Sequence, residues 1–334
     1  MNKQNIRPII ASLFLGLGVF FLFMSWRLYR EPQPSWTTFF ASSKTWTASS
    51  YASLWEVEAQ AENSAPFALW SEKEQEIIEN AFSQRKKTVT ALWVTGDVRA
   101  VLPITQTLAV GDGEGCLLDE NTGKALFGEG LPENPKIRWN EKDYTVRGFF
   151  PSTIPTVLFS PDVSSKEPFS YITTMSPSAG FASRHGLDTN QSMSRKSFAE
   201  KEKLYQFFPV FLLLLGLLFQ WMKTSSTFPK TLFGFSIRWS GFFLLLLLLL
   251  ASILYALPSQ WFPAQWANLN FWSDTRTQFQ TQQIWASSVG KGIPYILAEK
   301  RTQQVLFFSL FGTIAIGIGG YGWRFFCRKE KNPF

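Results

Sequence analysis

The chain has 334 residues, 46% of them hydrophobic and 16% aromatic, with a formal net charge of +7 and a pI near 9.3. The basicity does not describe a nucleic-acid surface: between Glu31 and Lys203 there are 17 Lys and Arg against 22 Asp and Glu, a net of −5, which leaves +12 for apolar segments and their flanks. Two cysteines and one histidine, with no paired spacing, exclude a disulfide framework and a zinc signature.

The apolar residues fall into four blocks. A bilayer core about 30 Å thick needs roughly 20 apolar residues in a helix, which alone pairs every backbone group internally. Ile9–Trp26, Leu204–Met222, Trp239–Leu257 and Val305–Trp323 meet that length. The first block is followed by Phe23-Met24-Ser25-Trp26-Arg27, too bulky for signal cleavage, and reads as an uncleaved anchor. The reading is thus an α+β extracytoplasmic domain inserted between transmembrane helix 1 and a three-helix α membrane unit, four transmembrane helices in all. Its parts are a tail and helix 1 (1–30), the domain with a helical stalk (31–203), helix 2 (204–222), a short loop (223–235) and helix 3 (236–257). A Trp-rich loop (258–302), helix 4 (303–325) and a basic tail (326–334) complete it.

Lys and Arg near helix ends divide nine and nine between the two sides, but one set is packed into short tails and a loop, which favours cytoplasmic termini. Cys116 and Cys327 then face opposite compartments.

Within the domain, Ser35–Ala48 mixes Ser and Thr with Trp36, Phe39, Phe40 and Trp46, as a strand or interfacial segment does. Ser71-Glu72-Lys73-Glu74 has the form of a capping box, and Ile77, Ile78, Ala81 and Phe82 follow at helical spacing, predicting a helix of about 15 residues. Thr88–Val94 alternates as a strand and stops at Gly96-Asp97. Gly111-Asp112-Gly113-Glu114-Gly115 is a flexible turn, because no Lys-Ser/Thr follows it and its acids would repel a phosphate.

Cys116–Leu118 is a short strand, after which Asp119 caps a helix through Ala125, Leu126 and Phe127 that ends at Gly128. Lys136–Trp139 and Tyr144–Phe150 form a hairpin around a four-residue loop, Asn140–Asp143. The Pro- and Ser-rich stretch from Pro151 to Asn190 holds one strand, Phe169–Thr174. Ser197–Tyr205 is charged, helix-prone, and leads into the second apolar block.

No catalytic constellation emerges. There is no Gly-x-Ser-x-Gly elbow, His185 falls in a predicted loop, and Asp112, Glu114, Asp119 and Glu120 lack the spacing of a calcium loop. Neither enzymatic activity nor a cofactor is expected. No Asp, Glu, Lys or His lies deep in any apolar block, against the pattern of proton- or ion-coupled carriers. Gly312, Ala315, Gly319 and Gly322 recur at spacings of three and four, a smooth stripe suited to close helix packing in lipid.

The order of motifs from Val94 to Phe150 carries a resemblance. Val94-Thr95-Gly96-Asp97 ends a strand, a glycine turn follows, and Gly115–Glu120 leads into Lys124-Ala125-Leu126-Phe127-Gly128. Tyr144-Thr145-Val146-Arg147-Gly148-Phe149 then closes a hairpin. This pattern resembles the periplasmic core domain of MacB-type permeases, a family that includes FtsX-like proteins. The resemblance implies a permease-like subunit in the plasma membrane of a bacterium, with both termini cytoplasmic. It also implies a separate cytoplasmic ABC ATPase as partner and a homodimer or a heterodimer with a paralogous permease.

One departure bears on coupling. The loop between the second and third apolar blocks, Lys223-Thr224-Ser225-Ser226-Thr227-Phe228-Pro229-Lys230, lacks the Glu-Ile-Gly-x-x-Lys/Arg-Ala-x-Gly type of motif that contacts the ATPase in the family. Phe228, Pro229 and Lys230 are the candidate contact residues of this chain. The alternative is a membrane-anchored adaptor or sensor with the permease shape and no ATPase.

Overall fold

A computed structural model describes residues 3–31, 34–40, 45–128, 132–162, 164–175, 178–225, 232–256 and 292–331, with single positions at 273, 276, 277 and 280. Two compact units emerge: residues 34–195 with 276–296, and residues 1–33 with 196–275 and 297–334.

The first unit is a mixed α/β domain. Its strands are β1 (Thr37–Phe40), β2 (Phe67–Asn80), β3 (Lys86–Gly96), β4 (Gly115–Asp119), β5 (Lys136–Trp139), β6 (Lys142–Phe150), β7 (Thr156–Phe159), β8 (Tyr171–Thr174) and β9 (Ser192–Ser194). Its helices are α2 (Ala48–Ala59), α3 (Glu120–Phe127) and α4 (Ser178–His185). Long β2 organises the sheet. It pairs with β3 along both halves and with β5 at its C-terminal end, and β3–β7–β4–β6–β5 run in order back to it, closing a six-stranded ring. Its first half carries β8, β1 and β9 as an outward extension.

The two halves of β2 are separated by a register shift between Lys73 and Glu76, where Gln75 takes a positive φ of 60°. Such a bulge bends and twists a strand, which lets β2 serve both the ring and the extension of one nine-stranded sheet. The helix predicted from Ser71 is therefore absent. Ser71 to Lys73 and Glu76 to Glu79 pair residue by residue with β3, and that ladder overrides the helix propensity of an isolated Glu- and Lys-rich segment.

Alternation along the strands fixes two faces. Phe39, Phe67, Leu69 and Ile172 point into the main core with Phe181 of α4 and Leu54 of α2. Inside the ring, Trp93, Trp139, Tyr144 and Phe159 pack ring against ring, with centroids 4.6–5.8 Å apart. Burial pushes the Cys116 thiol in this core well up from its ordinary range.

Asp119 does cap α3, accepting from Thr122 N at 3.0 Å, and Gly128 ends the helix at φ 80°. The β5–β6 hairpin differs from its prediction: β6 begins at Lys142, so the connection is the two residues Asn140 and Glu141, both at positive φ (48° and 65°). That is the backbone a tight hairpin needs to match strand twist. β7, unforeseen in the sequence, lies between β3 and β4.

The second unit contains α1 (Lys3–Arg30) and most of α5 (Arg195–Ser225), α6 (Leu232–Ala256) and α7 (Ile293–Lys331). Among the described residues, two stretches are long and apolar enough to cross a membrane: Ile9–Arg30, of mean hydropathy 2.2, and Ile293–Tyr321, of mean hydropathy 1.5. Ser240–Ser252 of α6 is a shorter apolar stretch. α5 runs unbroken through Ser197–Tyr205, as its helix-prone sequence predicts.

Candidate functional site

Three of the helices are knitted together by polar groups at one level. Ser25 of α1, fully buried, donates to Gln206 Oε1 of α5 at 2.8 Å and lies 3.2 Å from the Val305 carbonyl of α7. One turn away, Ser309 donates to the Tyr205 carbonyl at 2.6 Å. Thr302 reaches Glu202 Oε1 at 3.2 Å, and Arg301 lies 3.8 Å from Glu202 Oε2. Arg301 also donates to the Leu28 carbonyl, to the Glu31 carbonyl at 2.9 Å and to Glu31 Oε2 at 3.1 Å. A cation on the last carbonyls of α1 satisfies acceptors that a helix end leaves open and complements its dipole.

Towards the other end of the same contact, α1 and α7 touch through small residues. A Cβ added to Gly312 would meet Leu22 at 2.8 Å and the Gly18 carbonyl at 3.1 Å. One added to Gly319 would meet Leu15 at 2.7 Å and the Ala11 carbonyl at 2.9 Å. Ala315 is buried between them in sequence. Gly312 and Gly319 therefore lie against α1 of the same chain; Gly322 lies in α7. Phe228, Pro229 and Lys230 lie outside the described residues, as do Trp261, Trp266, Trp272 and Trp285, the tryptophans of the Trp-rich 258–302 loop.

In the domain, the outer face of the β2–β8–β1 extension is aromatic. The register sets Phe40, Tyr171 and Trp70 in one row across three strands, with Thr38, Thr173 and Ala68 in the next. Trp70 stacks on Tyr171 at 4.3 Å, and its Nε1 donates to Thr173 Oγ1 at 2.8 Å, which in turn meets Thr38 Oγ1 at 2.8 Å. Residues 292–295 come down on this face and leave a small open cleft lined by Trp36, Phe40, Trp70, Tyr171, Met193 and Tyr295 among others. The approach is close: a Cβ on Gly292 would lie 2.6 Å from the Trp70 ring. Beside it, Glu72 Oε2 accepts from Ile293 N, the first residue of α7, at 3.1 Å.

Three of the residues weighed as catalytic or metal-binding, His185, Asp112 and Asp119, have structural partners. His185 is not in a loop; it ends α4, buried, with Nε2 2.9 Å from Glu58 Oε1. Asp112 pairs with Arg147 at 3.1 Å, while Asp119 turns inward to bind Thr122 N and Thr156 N. Among the described residues no group of three acidic, His or Cys side chains gathers for a metal ion. Sequence reasoning missed Glu58, Glu72, Glu202 and Arg301 as partners, because each pairing is long-range. The one signal was the presence of Glu202 and Arg301 beside apolar blocks.

Fold and sites together define a mixed α/β domain inserted in sequence between apolar helices. No family model matches the sequence, and no curated protein matches it. Among solved structures, the periplasmic region of MacB from Actinobacillus actinomycetemcomitans is similar at 13% identity and a TM-score of 0.35, over 48% of this chain and 88% of that one. The extracellular domain of the noncanonic ABC-type transporter YknZ from Gram-positive bacteria is similar at 12% identity and a TM-score of 0.35, over 48% of this chain and 98% of that one.

Proposed function

We propose that this chain is a permease-like membrane subunit of a MacB/FtsX-type ABC system. In this reading four helices span the plasma membrane of a bacterium, both termini are cytoplasmic and the α/β domain is extracytoplasmic. A separate cytoplasmic ATPase drives it, and the subunit works as a homodimer or beside a paralogous permease. The observation that carries the reading is the pairing of β1 with β9, Thr37 opposite Ser194. β1 follows α1 in the chain, and β9 runs directly into α5. Two of the four chain crossings between the units, the one after α1 and the one before α5, therefore converge on one antiparallel strand pair, so a sliding of those two helices is delivered to one edge of the sheet.

The ATPase would dock on the loop holding Phe228, Pro229 and Lys230. Affinity purification of the tagged chain in mild detergent tests this, with recovery of an ATPase expected and its loss on triple alanine substitution of those residues. If the chain inserts and folds but no ATPase is recovered, and function survives the triple substitution, the adaptor reading replaces the permease reading. The loop's departure from the family motif is what favours that second reading. Reporter fusions at the N-terminus, after Ser225 and at the C-terminus test the topology; an extracytoplasmic signal from any of the three would sink it.

A further inference from the structure

We propose that Glu72 is a proton-operated clasp, which holds residues 292–296 against the aromatic face of β2 and β8 when neutral and releases them when ionised. The inference concerns the domain alone and stands apart from ATPase coupling. Glu72 is half-buried at the edge of that face, and the one hydrogen bond it makes among the described residues is from Ile293 N at 3.1 Å. A single neutral N–H compensates poorly for the hydration a carboxylate loses on burial, whereas a carboxylic acid accepts the same hydrogen bond without a charge to desolvate.

Of the groups that face it, Glu74 adds to the effect of burial and the Ile293 amide opposes it. Glu74, from the same strand, adds a like charge, and Tyr171, from β8, brings a phenol rather than a cation. β3 sets Leu92 opposite Glu72, and α7 contributes the Ile293 amide and the Tyr295 ring that lines the cleft. Burial, followed by the opposing Ile293 hydrogen bond and the repulsion of Glu74, leaves the carboxyl raised from 4.5 to about 7.

The sign follows from linkage. The closed form binds a proton more tightly than an open form with Glu72 in water, so closure is strongest below about pH 4.5. It is lost progressively as pH rises towards 7, and is flat above that, with at most about tenfold per pH unit in between.

Hydrogen exchange of the full-length protein in detergent, between pH 5 and 8 and corrected for intrinsic rates, tests the clasp at the amides of Ile293, Tyr295 and Ile296. Protection should fall by at least tenfold from pH 5 to pH 8, while ring strands β3 and β4 stay constant. Glu72→Gln, permanently neutral, should keep protection high and flat. Glu74→Gln, with Glu72 intact, should reduce the total change by removing the like charge. Protection in the wild type that is flat or rises with pH overturns the clasp. So does a Glu72→Gln profile that follows the wild type, or a Glu74→Gln change equal to or larger than the wild-type change.

Discussion

Glu58, in the last turn of α2, and Arg184, in α4, are 126 residues apart and meet as a two-pronged ion pair at 2.8 and 2.9 Å inside the domain. The carboxylate also accepts from Ala65 N at 3.0 Å and lies 2.9 Å from His185 Nε2, so four donors converge on a side chain with no exposure. The cluster ties α2, the approach to β2 and α4 into one piece.

Removing Arg184 strands that buried charge. Arg184→Ala should destabilise the domain by about 3 kcal/mol, the usual cost of leaving one partner of a buried pair behind. Chemical denaturation of the full chain measures it. Burial raises the Glu58 carboxyl, but the Arg184, Ala65 and His185 contacts outweigh burial and hold it below its ordinary 4.5. Its stabilisation is therefore fully present above pH 4.5 and is lost as pH falls through the lowered value. Glu58→Gln should flatten that acid limb of the stability profile.

Asp119 links two elements with two oxygens, capping α3 through Thr122 N and holding β7 through Thr156 N at 2.7 Å. Asp119→Ala should cost about 2–4 kcal/mol, a lost cap together with a buried amide left unpaired. Asp119→Asn keeps one acceptor and should cost less. Equal losses in urea titrations of the two variants would contradict the two-oxygen account.

The glycine contact between α1 and α7 predicts a contrast along one helix. Gly312→Leu and Gly319→Leu must displace α1 side chains and backbone, and each should cost about 1–3 kcal/mol, read as a lowered Tm in detergent. Gly317→Leu and Gly320→Leu add atoms where nothing lies within 4 Å and should change Tm little. A uniform effect of all four would reassign the stripe to general helix propensity.

Glu141 sits at φ 65° in the two-residue hairpin. Glu141→Gly should stabilise the domain by about 0.5–1 kcal/mol, because glycine adopts this conformation without strain and Asn-Gly suits the turn. Thermal melts of the two proteins suffice to test the sign.

Local signals carried much of the fold. Asp119 and Gly128 bracket α3 in sequence as in space, and the alternation of Thr88–Val94 marks β3. Where the sequence misled, partners remote in the chain decided the outcome. Ser71–Glu74 has the chemistry of a helix start, yet β3 captures it and Glu72 ends up capping a different helix, α7, 221 residues away. His185 reads as loop because nothing near it in sequence announces Glu58. Nothing in the spacing of Gly312 and Gly319 announces that residues of α1 lie against those two positions.

The position of β1 in the sheet sets a timetable for the nascent chain. Phe40 pairs with Tyr171, 131 residues later, and Thr37 pairs with Ser194, 157 residues later. At translation rates of roughly 5–20 residues per second, β1 waits on the order of ten seconds for its neighbours. The sheet gains its last strand only when β9 emerges, immediately before α5. Completion of the sheet thus reports that synthesis has reached the next helix, and a chain halted earlier displays unpaired strand edges, the kind of surface that quality-control proteases and chaperones engage.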